Sequence, residues 1–196
     1  MQKTEDIVQL KLAISLQTQK AISLGNIINI LLQISKIEAG QAIVKQNICI
    51  DELIFNAISE VNSLYPNFHF EVNFIPSNFD ENLLNIRANE PLLKQAFLNL
   101  LINAVQYADD QKAKITFDSS SVKLVIKISN SGKTLTEEEH KFLFSHFFRG
   151  KNAQNKQGFG FGLVLSQRIF SIHHISLHYH AKQGIENVFS LFFNDF

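Results

Sequence analysis

Helical and strand-like hydrophobic patterns alternate along residues 43–193 of this 196-residue chain, and this alternation constrains the fold most strongly. Residues 68–74 carry an apolar side chain at every second position, which is typical of a strand. Residues 89–107 place apolar side chains at helical spacing instead. Further strands are predicted at 43–48, 114–117, 122–129 and 188–193, and further helices at 51–64 (capped by Asp51), 137–148 and 162–173. This order of elements predicts an α/β (α+β) two-layer sandwich, in which helices cover a mixed β-sheet.

Residues 7–39 contain no proline and a single glycine, and their apolar side chains recur at helical spacing. They form two seams: Leu10, Ile14, Ala21, Leu24, Ile28 and Leu31, with Gln17 as a polar member, and Ile27, Ile30, Ile34 and Ile37. A lone surface helix needs one apolar stripe, so two seams predict a long helix that belongs to a helical bundle and ends at Gly40. An ordinary long helix packed on its own domain is the alternative. We expect a domain boundary between residues 1–40 and 41–196.

The charge balance and the cysteine content exclude several classes of protein. The 18 Lys and Arg residues equal the Asp and Glu residues in number, whereas a nucleic-acid-binding chain would carry a basic excess. The single cysteine, Cys49, excludes an intramolecular disulfide framework and a multi-cysteine zinc site. No apolar run approaches the roughly 18 residues of a membrane helix, and residues 1–6 do not resemble a signal peptide. We therefore expect a soluble, cytoplasmic chain without nucleic-acid or membrane contacts.

Two short motifs suggest a site for a phosphorylated ligand. Gly158, Gly160 and Gly162 precede an apolar helical run, where backbone amides at a helix N-terminus can approach an anion. Asn99 and Asn103 lie four residues apart on one face of a predicted helix, and their amide oxygens suit a Mg²⁺ ion that already carries phosphate. A flexible glycine loop and asparagines satisfied by backbone groups are the respective alternatives.

Two further segments carry polar residues in positions that suit ligand binding. Asn130 and Gly132 follow a predicted strand, and a polar side chain at a strand end followed by glycine can read the flat edge of a base. A plain Asn/Ser/Gly turn would give the same pattern. Arg149 follows an aromatic segment and could clamp a phosphate, although a solvated surface arginine is the usual occurrence.

Taken in order, the segments at 99–103, 130–134, 144–150 and 158–162 resemble the N-box, a shortened G1 box, the F-box and the G2 box of sensor histidine kinases. These boxes belong to the ATP-binding catalytic domain of two-component systems, in the GHKL ATPase superfamily with gyrase and MutL. Residues 27–40 resemble the end of the second dimerisation helix of that family. The resemblance spans most of residues 20–193. It implies a Bergerat-type ATP-binding fold over 41–196, preceded by the second dimerisation helix over 1–40.

The resemblance also implies individual roles and the cofactors ATP and Mg²⁺. Asn103 would bind Mg²⁺ with Asn99 in the same site, and Arg149 would approach the γ-phosphate. Asn130 stands where most members carry an aspartate that accepts the adenine amine, and Gly132 keeps the backbone clear of the base. The other implied nucleotide contacts are Gln106, Tyr107, Thr134, Gly158, Phe159, Gly160, Phe161, Gly162 and Leu163.

Several positions depart from the family pattern. Gln106 replaces a lysine or arginine, and Thr134 replaces the second glycine of the G1 box. Phe159 and Phe161 are bulkier than the usual residues of the G2 box. Residues 173–175 are His-His-Ile where the family commonly has His-Gly-Gly, which we interpret as a loop difference. None of these changes removes the asparagine expected to bind Mg²⁺ or the glycines.

The activity that the resemblance implies is transfer of the ATP γ-phosphoryl group to a histidine on the dimerisation domain, for relay to an aspartate of a response-regulator receiver domain. The intact protein would be a homodimer, and further segments could anchor it in the inner membrane. None of the seven histidines has the sequence context of a phosphoacceptor, because the first dimerisation helix is absent. His178 and His180 alternate as in a strand, and we expect them to face solvent. A nucleotide-sensing pseudokinase and a pure interaction module with a vestigial pocket remain as alternatives.

Overall fold

The computed structural model describes residues 2–120, 123–150, 153, 160–182 and 185–194. The chain divides into two units, Met1–Ala42 and Ile43–Phe196. The first unit is one long helix, α1 (Gln2–Glu38). Gly40 ends it in a left-handed conformation with φ of 89°, and the Gly40 and Gln41 amides donate to the carbonyls of Ile37 and Lys36. These two bonds form a Schellman motif, so the predicted helix end is confirmed.

The first apolar seam of α1 lies largely in solvent. Leu10, Ile14 and Ile28 each expose half or more of their surface, and Leu24 exposes 42%. A helix of 37 residues therefore presents large apolar side chains to water along much of its length.

The second unit contains seven strands and four helices among its described residues. The strands are β1 (Gln46–Cys49), β2 (His69–Ile75), β3 (Asn85–Ala88), β4 (Lys112–Asp118), β5 (Val125–Ser131), β6 (Ile175–Lys182) and β7 (Glu186–Phe193). The helices are α2 (Ile50–Leu64), α3 (Glu90–Tyr107), α4 (Glu137–His140) and α5 (Gly162–Ile172), with a 3₁₀ turn at Glu81–Leu84.

The strands form one five-stranded sheet and one two-stranded sheet. The larger sheet has the order β2-β4-β5-β7-β6, in which β2 runs parallel to β4 and all other neighbours are antiparallel. The smaller sheet pairs β1 with β3 antiparallel. Helix α3 contacts β4 and β5, and α5 contacts α3 and β6, so helices cover one face of the large sheet. The predicted two-layer sandwich with a mixed sheet is confirmed.

The core lies between this helical layer and the sheet. Phe97 of α3 and Phe170 of α5 are fully buried and meet edge to face, with their ring centroids 5.2 Å apart. Phe117 and Ile128 of the central strands are also buried. Alternation along β6 buries Tyr179 and exposes its neighbours His178 and His180, as expected for a strand with one covered face.

Three local predictions differ from the structure. The helix expected over 137–148 ends at His140, after a capping box between Thr136 and Glu139, and the chain continues in turns with amide-to-carbonyl bonds three residues apart. The cap of α2 is Cys49, and Asp51 lies in the first turn instead. Strand β3 was not predicted, because its four residues are too few to display a period. Val122, the expected start of a strand, lies outside the described residues; β5 begins at Val125.

Candidate functional site

Helix α3 carries both asparagines of the N-box. Its N-cap is Asn89, whose side-chain oxygen accepts a hydrogen bond from the Leu92 amide at 3.1 Å, and Pro91 occupies the first turn. One face of α3 is fully buried, including Leu100 and Leu101. Asn99 and Asn103 are half-buried beside that face, so their amides lie at the border between the core and solvent.

The first turn of α5 contacts Asn99. The Asn99 Nδ2 group donates to the Gly162 carbonyl and to Ser166 Oγ, both at 3.4 Å. Gln95 Nε2 donates to Asn99 Oδ1, also at 3.4 Å. A Cβ atom on Gly162 would lie 3.8 Å from Asn99 Cγ, an ordinary contact. The fold therefore brings together the N-box and the last glycine of the G2 box, which are 63 residues apart in sequence.

Asn103 lies one turn further along α3 on the same face. Its half-buried side chain makes no hydrogen bond within the part of the chain that the structure describes. Gln106 and Tyr107 complete the helix and are half-buried as well. Burial raises the pKa of the Tyr107 hydroxyl, and the Arg149 guanidinium opposes this rise.

The G1 segment packs directly against the end of α3. Gly132 has φ of 134°, and a Cβ atom there would lie 2.2 Å from the Tyr107 carbonyl oxygen. No side chain fits at that distance, so glycine is required at this position. Asn130 is 5% exposed, and its Nδ2 group donates to the Ser131 carbonyl at 2.7 Å. The nitrogen of the Asn130 side-chain amide makes this bond, and the oxygen of the same amide remains to accept a hydrogen bond from another group. Thr134 is half-buried after Gly132.

The end of the G2 box packs against the F-box. Gly160 has φ of 73°, and a Cβ atom there would lie 2.8 Å from both the Phe147 carbonyl carbon and the Phe148 carbonyl oxygen. The Phe161 ring meets the Phe147 ring at 4.6 Å, so its bulk is accommodated against the F-box segment. Leu163 is half-buried in the first turn of α5. Gly158 and Phe159, the other two residues expected in this box, lie outside the described residues.

Arg149 is exposed, and its guanidinium donates to the Ala153 carbonyl. Arg149 thus lies near the end of the F-box segment, and its guanidinium is hydrogen-bonded to the backbone four residues further on.

The His-His-Ile segment after α5 has a structural role that the sequence did not reveal. His173 is 4% exposed, and its Nε2 atom accepts a hydrogen bond from the Asn89 amide at 3.0 Å. Its Nδ1 atom therefore carries the proton and donates to the Ile169 carbonyl at 2.7 Å. Burial lowers the pKa of His173. His174 adopts the left-handed conformation, with φ of 58°, in which glycine is favoured.

Neutral amide oxygens are the donors that the N-box offers to a metal ion. No group of three or more His, Cys, Asp or Glu side chains among the described residues is arranged to hold a metal ion. The neutral oxygens of Asn99 and Asn103 suit Mg²⁺ whose remaining ligands are phosphate and water.

Within the described residues, no helix is sufficiently long and apolar to cross a bilayer.

Comparison with known proteins identifies the family. Residues 88–195, more than half of the chain, match the family of histidine kinase-, DNA gyrase B-, and HSP90-like ATPases. The heme sensor protein HssS of Staphylococcus epidermidis is 34% identical over 110 residues, which cover 56% of this chain and 24% of that protein. The adaptive-response sensory kinase SasA of Gloeothece citriformis is 28% identical over 173 residues, which cover 86% of this chain and 43% of that kinase. The chain thus spans less than half the length of these curated relatives.

Solved structures share the fold. The mycobacterial sensor histidine kinase MprB superposes with a TM-score of 0.62 at 19% identity, covering 76% of this chain and 97% of that one. The catalytic domain of the histidine kinase ThkA gives a TM-score of 0.60 at 24% identity, covering 77% and 97%. The chain therefore belongs to the histidine kinase-, DNA gyrase B-, and HSP90-like ATPase family.

Proposed function

We propose that this chain transfers the γ-phosphoryl group of ATP to a histidine of a dimerisation domain, as the catalytic part of a sensor histidine kinase. The observation that carries the proposal is the convergence of two sequence-distant segments on α3, which itself carries the N-box. Gly162 contacts Asn99, and Gly132 contacts the carbonyl of Tyr107. The segments that would bind the adenine base, the metal ion and the phosphate groups would therefore all lie along one helix.

The adenine base would bind beside Asn130 and Gly132. Since the Asn130 Nδ2 group is engaged by the Ser131 carbonyl, its oxygen is the atom that accepts a hydrogen bond from the exocyclic amine of adenine. Guanine carries a carbonyl oxygen at that position, so two hydrogen-bond acceptors would face each other and repel. Gly132 would let the backbone pass close to the base. Thr134 in the same loop and Tyr107 at the end of α3 would lie beside the nucleotide.

The phosphates would bind between α3 and the G2 box. Asn103 would hold Mg²⁺ through its amide oxygen, with Asn99 in the same site, and Gln106 would lie beside them. Bound Mg²⁺ would neutralise phosphate charge and orient the γ-phosphoryl group. Amides of the G2 box, formed by Gly158, Phe159, Gly160, Phe161, Gly162 and Leu163, would contact the phosphate oxygens, and Arg149 would approach the γ-phosphate.

The chain's own residues supply positioning and charge, because the acceptor histidine is the nucleophile. Asn99 cannot take a proton from water, so intrinsic ATP hydrolysis would be slow. Residues 1–40 would form the second dimerisation helix and contribute to a homodimer, with α1 exposing its apolar seam for that purpose. They contain no histidine, so the acceptor histidine would come from a dimerisation domain outside these residues. The phosphoryl group would then pass to an aspartate of a cytoplasmic response-regulator receiver domain.

The proposal is tested by phosphotransfer to a separately supplied dimerisation domain. The chain is incubated with radiolabelled ATP, Mg²⁺ and a dimerisation domain of a related sensor kinase, with an acceptor His→Ala variant of that domain as control. Label on the acceptor that is stable to base and labile to acid supports histidine phosphorylation. ATP binding without transfer to any of a panel of such domains would favour a nucleotide-sensing pseudokinase instead.

A further inference from the structure

The loop 130–135 comprises the last two residues of β5 and the four that follow, and it is hydrogen-bonded to the hairpin of β6 and β7. The Gly132 amide donates to the Ile185 carbonyl at 2.9 Å. The Gly132 carbonyl accepts from Asn187 Nδ2 at 3.5 Å. The Leu135 amide donates to the hydroxyl oxygen of Tyr179 at 3.2 Å. Gly132 and Leu135 are thus hydrogen-bonded to Tyr179 of β6, to Asn187 of β7 and to Ile185 between these strands.

Tyr179 and Asn187 are joined into one buried unit. The Tyr179 hydroxyl donates to Asn187 Oδ1 at 2.8 Å while it accepts from the Leu135 amide. Each of the two residues is only 6% exposed. Asn187 also lies directly opposite Asn130 in the β5–β7 register. The unit therefore connects Asn130, the residue proposed to accept the adenine amine, with Gly132 and Leu135 of the loop.

A buried network of this kind favours one loop geometry. Each polar group in it has a partner, and the loss of one member leaves the others unsatisfied in a low-dielectric environment. Burial raises the pKa of the Tyr179 phenol, so the hydroxyl keeps the proton that it donates. Apart from the bond that joins them, the side-chain hydrogen bonds of Tyr179 and Asn187 among the described residues go to Leu135 and Gly132.

We propose that Tyr179 and Asn187 are positioning residues, which fix the loop 130–135 in the conformation that recognises the adenine base. This inference depends on the proposed nucleotide-binding function. The two side chains act through Gly132, Leu135 and Asn130, and they do not touch the nucleotide. Their role is base selectivity, and it is separate from phosphate and Mg²⁺ binding through α3.

The test is the variant Tyr179→Phe, which removes one oxygen and leaves the ring in place. Affinities for Mg·ATP and Mg·GTP are measured by competition against a fluorescent ATP analogue. We expect ATP binding to weaken by about tenfold, because two hydrogen bonds of the network are lost. GTP binding should change much less, so that the preference for ATP falls. Asn187→Ala should have the same effect, and the double variant should be no worse than either single one.

Phe189→Leu is the matched control for a purely structural effect. Phe189 is as buried as Tyr179, and its ring lies 5.2 Å from the Tyr179 ring, but it makes no hydrogen bond in the network. It should lower the thermal midpoint without changing the ATP preference. Unchanged ATP affinity in Tyr179→Phe, or an equal loss of preference in Phe189→Leu, would overturn the inference while leaving the proposed function intact. Absence of ATP binding by the unmodified chain would overturn both. If Tyr179→Phe does not fold, Asn187→Ala decides the question by the same comparison.

Discussion

Replacing Gly132 with alanine should damage the domain severely, because the new methyl group has no room. A Cβ atom at this position would lie 2.2 Å from the Tyr107 carbonyl oxygen, and 3.4 Å from its carbonyl carbon. Since Cβ contacts below 3.0 Å essentially do not occur, the loop and the end of α3 must separate by about 0.8 Å. Both partners are backbone, so no side-chain rotation relieves the contact.

The expected destabilisation combines two costs. Overpacking that forces the backbone to shift costs about 1–3 kcal/mol. Holding alanine at φ of 134° adds strain of about 1–3 kcal/mol. The sum of about 2–6 kcal/mol is a large part of the 5–15 kcal/mol that typically stabilises a domain. The shift also displaces Tyr107 and Asn130 relative to each other, so ATP affinity should fall in whatever fraction stays folded.

The assay is urea unfolding followed by far-ultraviolet circular dichroism, since the chain has no tryptophan. Gly162→Ala is the control, because its Cβ would make only an ordinary 3.8 Å contact with Asn99 and it begins a helix. Alanine there should be neutral or stabilise by up to about 1 kcal/mol. A Gly132→Ala variant within about 0.5 kcal/mol of the unmodified chain, or a Gly162→Ala variant that loses as much, would refute the reasoning.

The remaining predictions concern the segment after α5. His173 has a pKa below its ordinary value, so the unfolded chain binds the proton first and stability should fall as the pH drops below about 6.5. Urea midpoints between pH 8 and 5 measure this slope, and a His173→Gln variant with the same slope would contradict the assignment. His174→Gly should stabilise the domain by about 1 kcal/mol, because φ of 58° strains histidine but not glycine. His174→Ala, its control, should bring no such gain, and equal midpoints for the two variants would count against the argument.

The long helices and the mixed sheet could be predicted because their signals are local. Helix α3 carries a capping asparagine, a proline in its first turn and an apolar face, and it was predicted to within one residue at its start. The end of α1 at Gly40 follows from a Schellman motif that only the last residues of the helix determine.

The failed helix over 137–148 shows where tertiary contacts override a local pattern. Phe147 has φ of 63°, which no helix tolerates, and the backbone of Gly160 packs directly on the Phe147 and Phe148 backbone. In sequence, the aromatic residues at 144–148 resemble the apolar face of a helix. Their backbone packs instead against Gly160, more than ten residues further along the chain. The capping box at Thr136 still starts a helix, which then stops after one turn.

The candidate site divides in the same way. Asn99, Gly132 and Gly162 lie in motifs whose spacing is visible in the sequence, and the fold brings the two glycines against α3, which carries Asn99. Tyr179 and Asn187 belong to no motif and become neighbours of Gly132 only through the register of β6, β7 and β5. Nothing local to either residue distinguishes a buried hydrogen-bonding unit from an ordinary strand residue.

We propose that α3 presents a Mg²⁺-dependent ATP site through Asn103. The deciding measurement is calorimetric titration of the chain and of its Asn103→Ala variant with a non-hydrolysable ATP analogue, with and without Mg²⁺. We expect micromolar-range binding that requires Mg²⁺ and is lost in Asn103→Ala, while circular dichroism remains unchanged. Equal affinity with and without Mg²⁺, or full affinity in Asn103→Ala, would exclude a Mg²⁺-dependent site at Asn103.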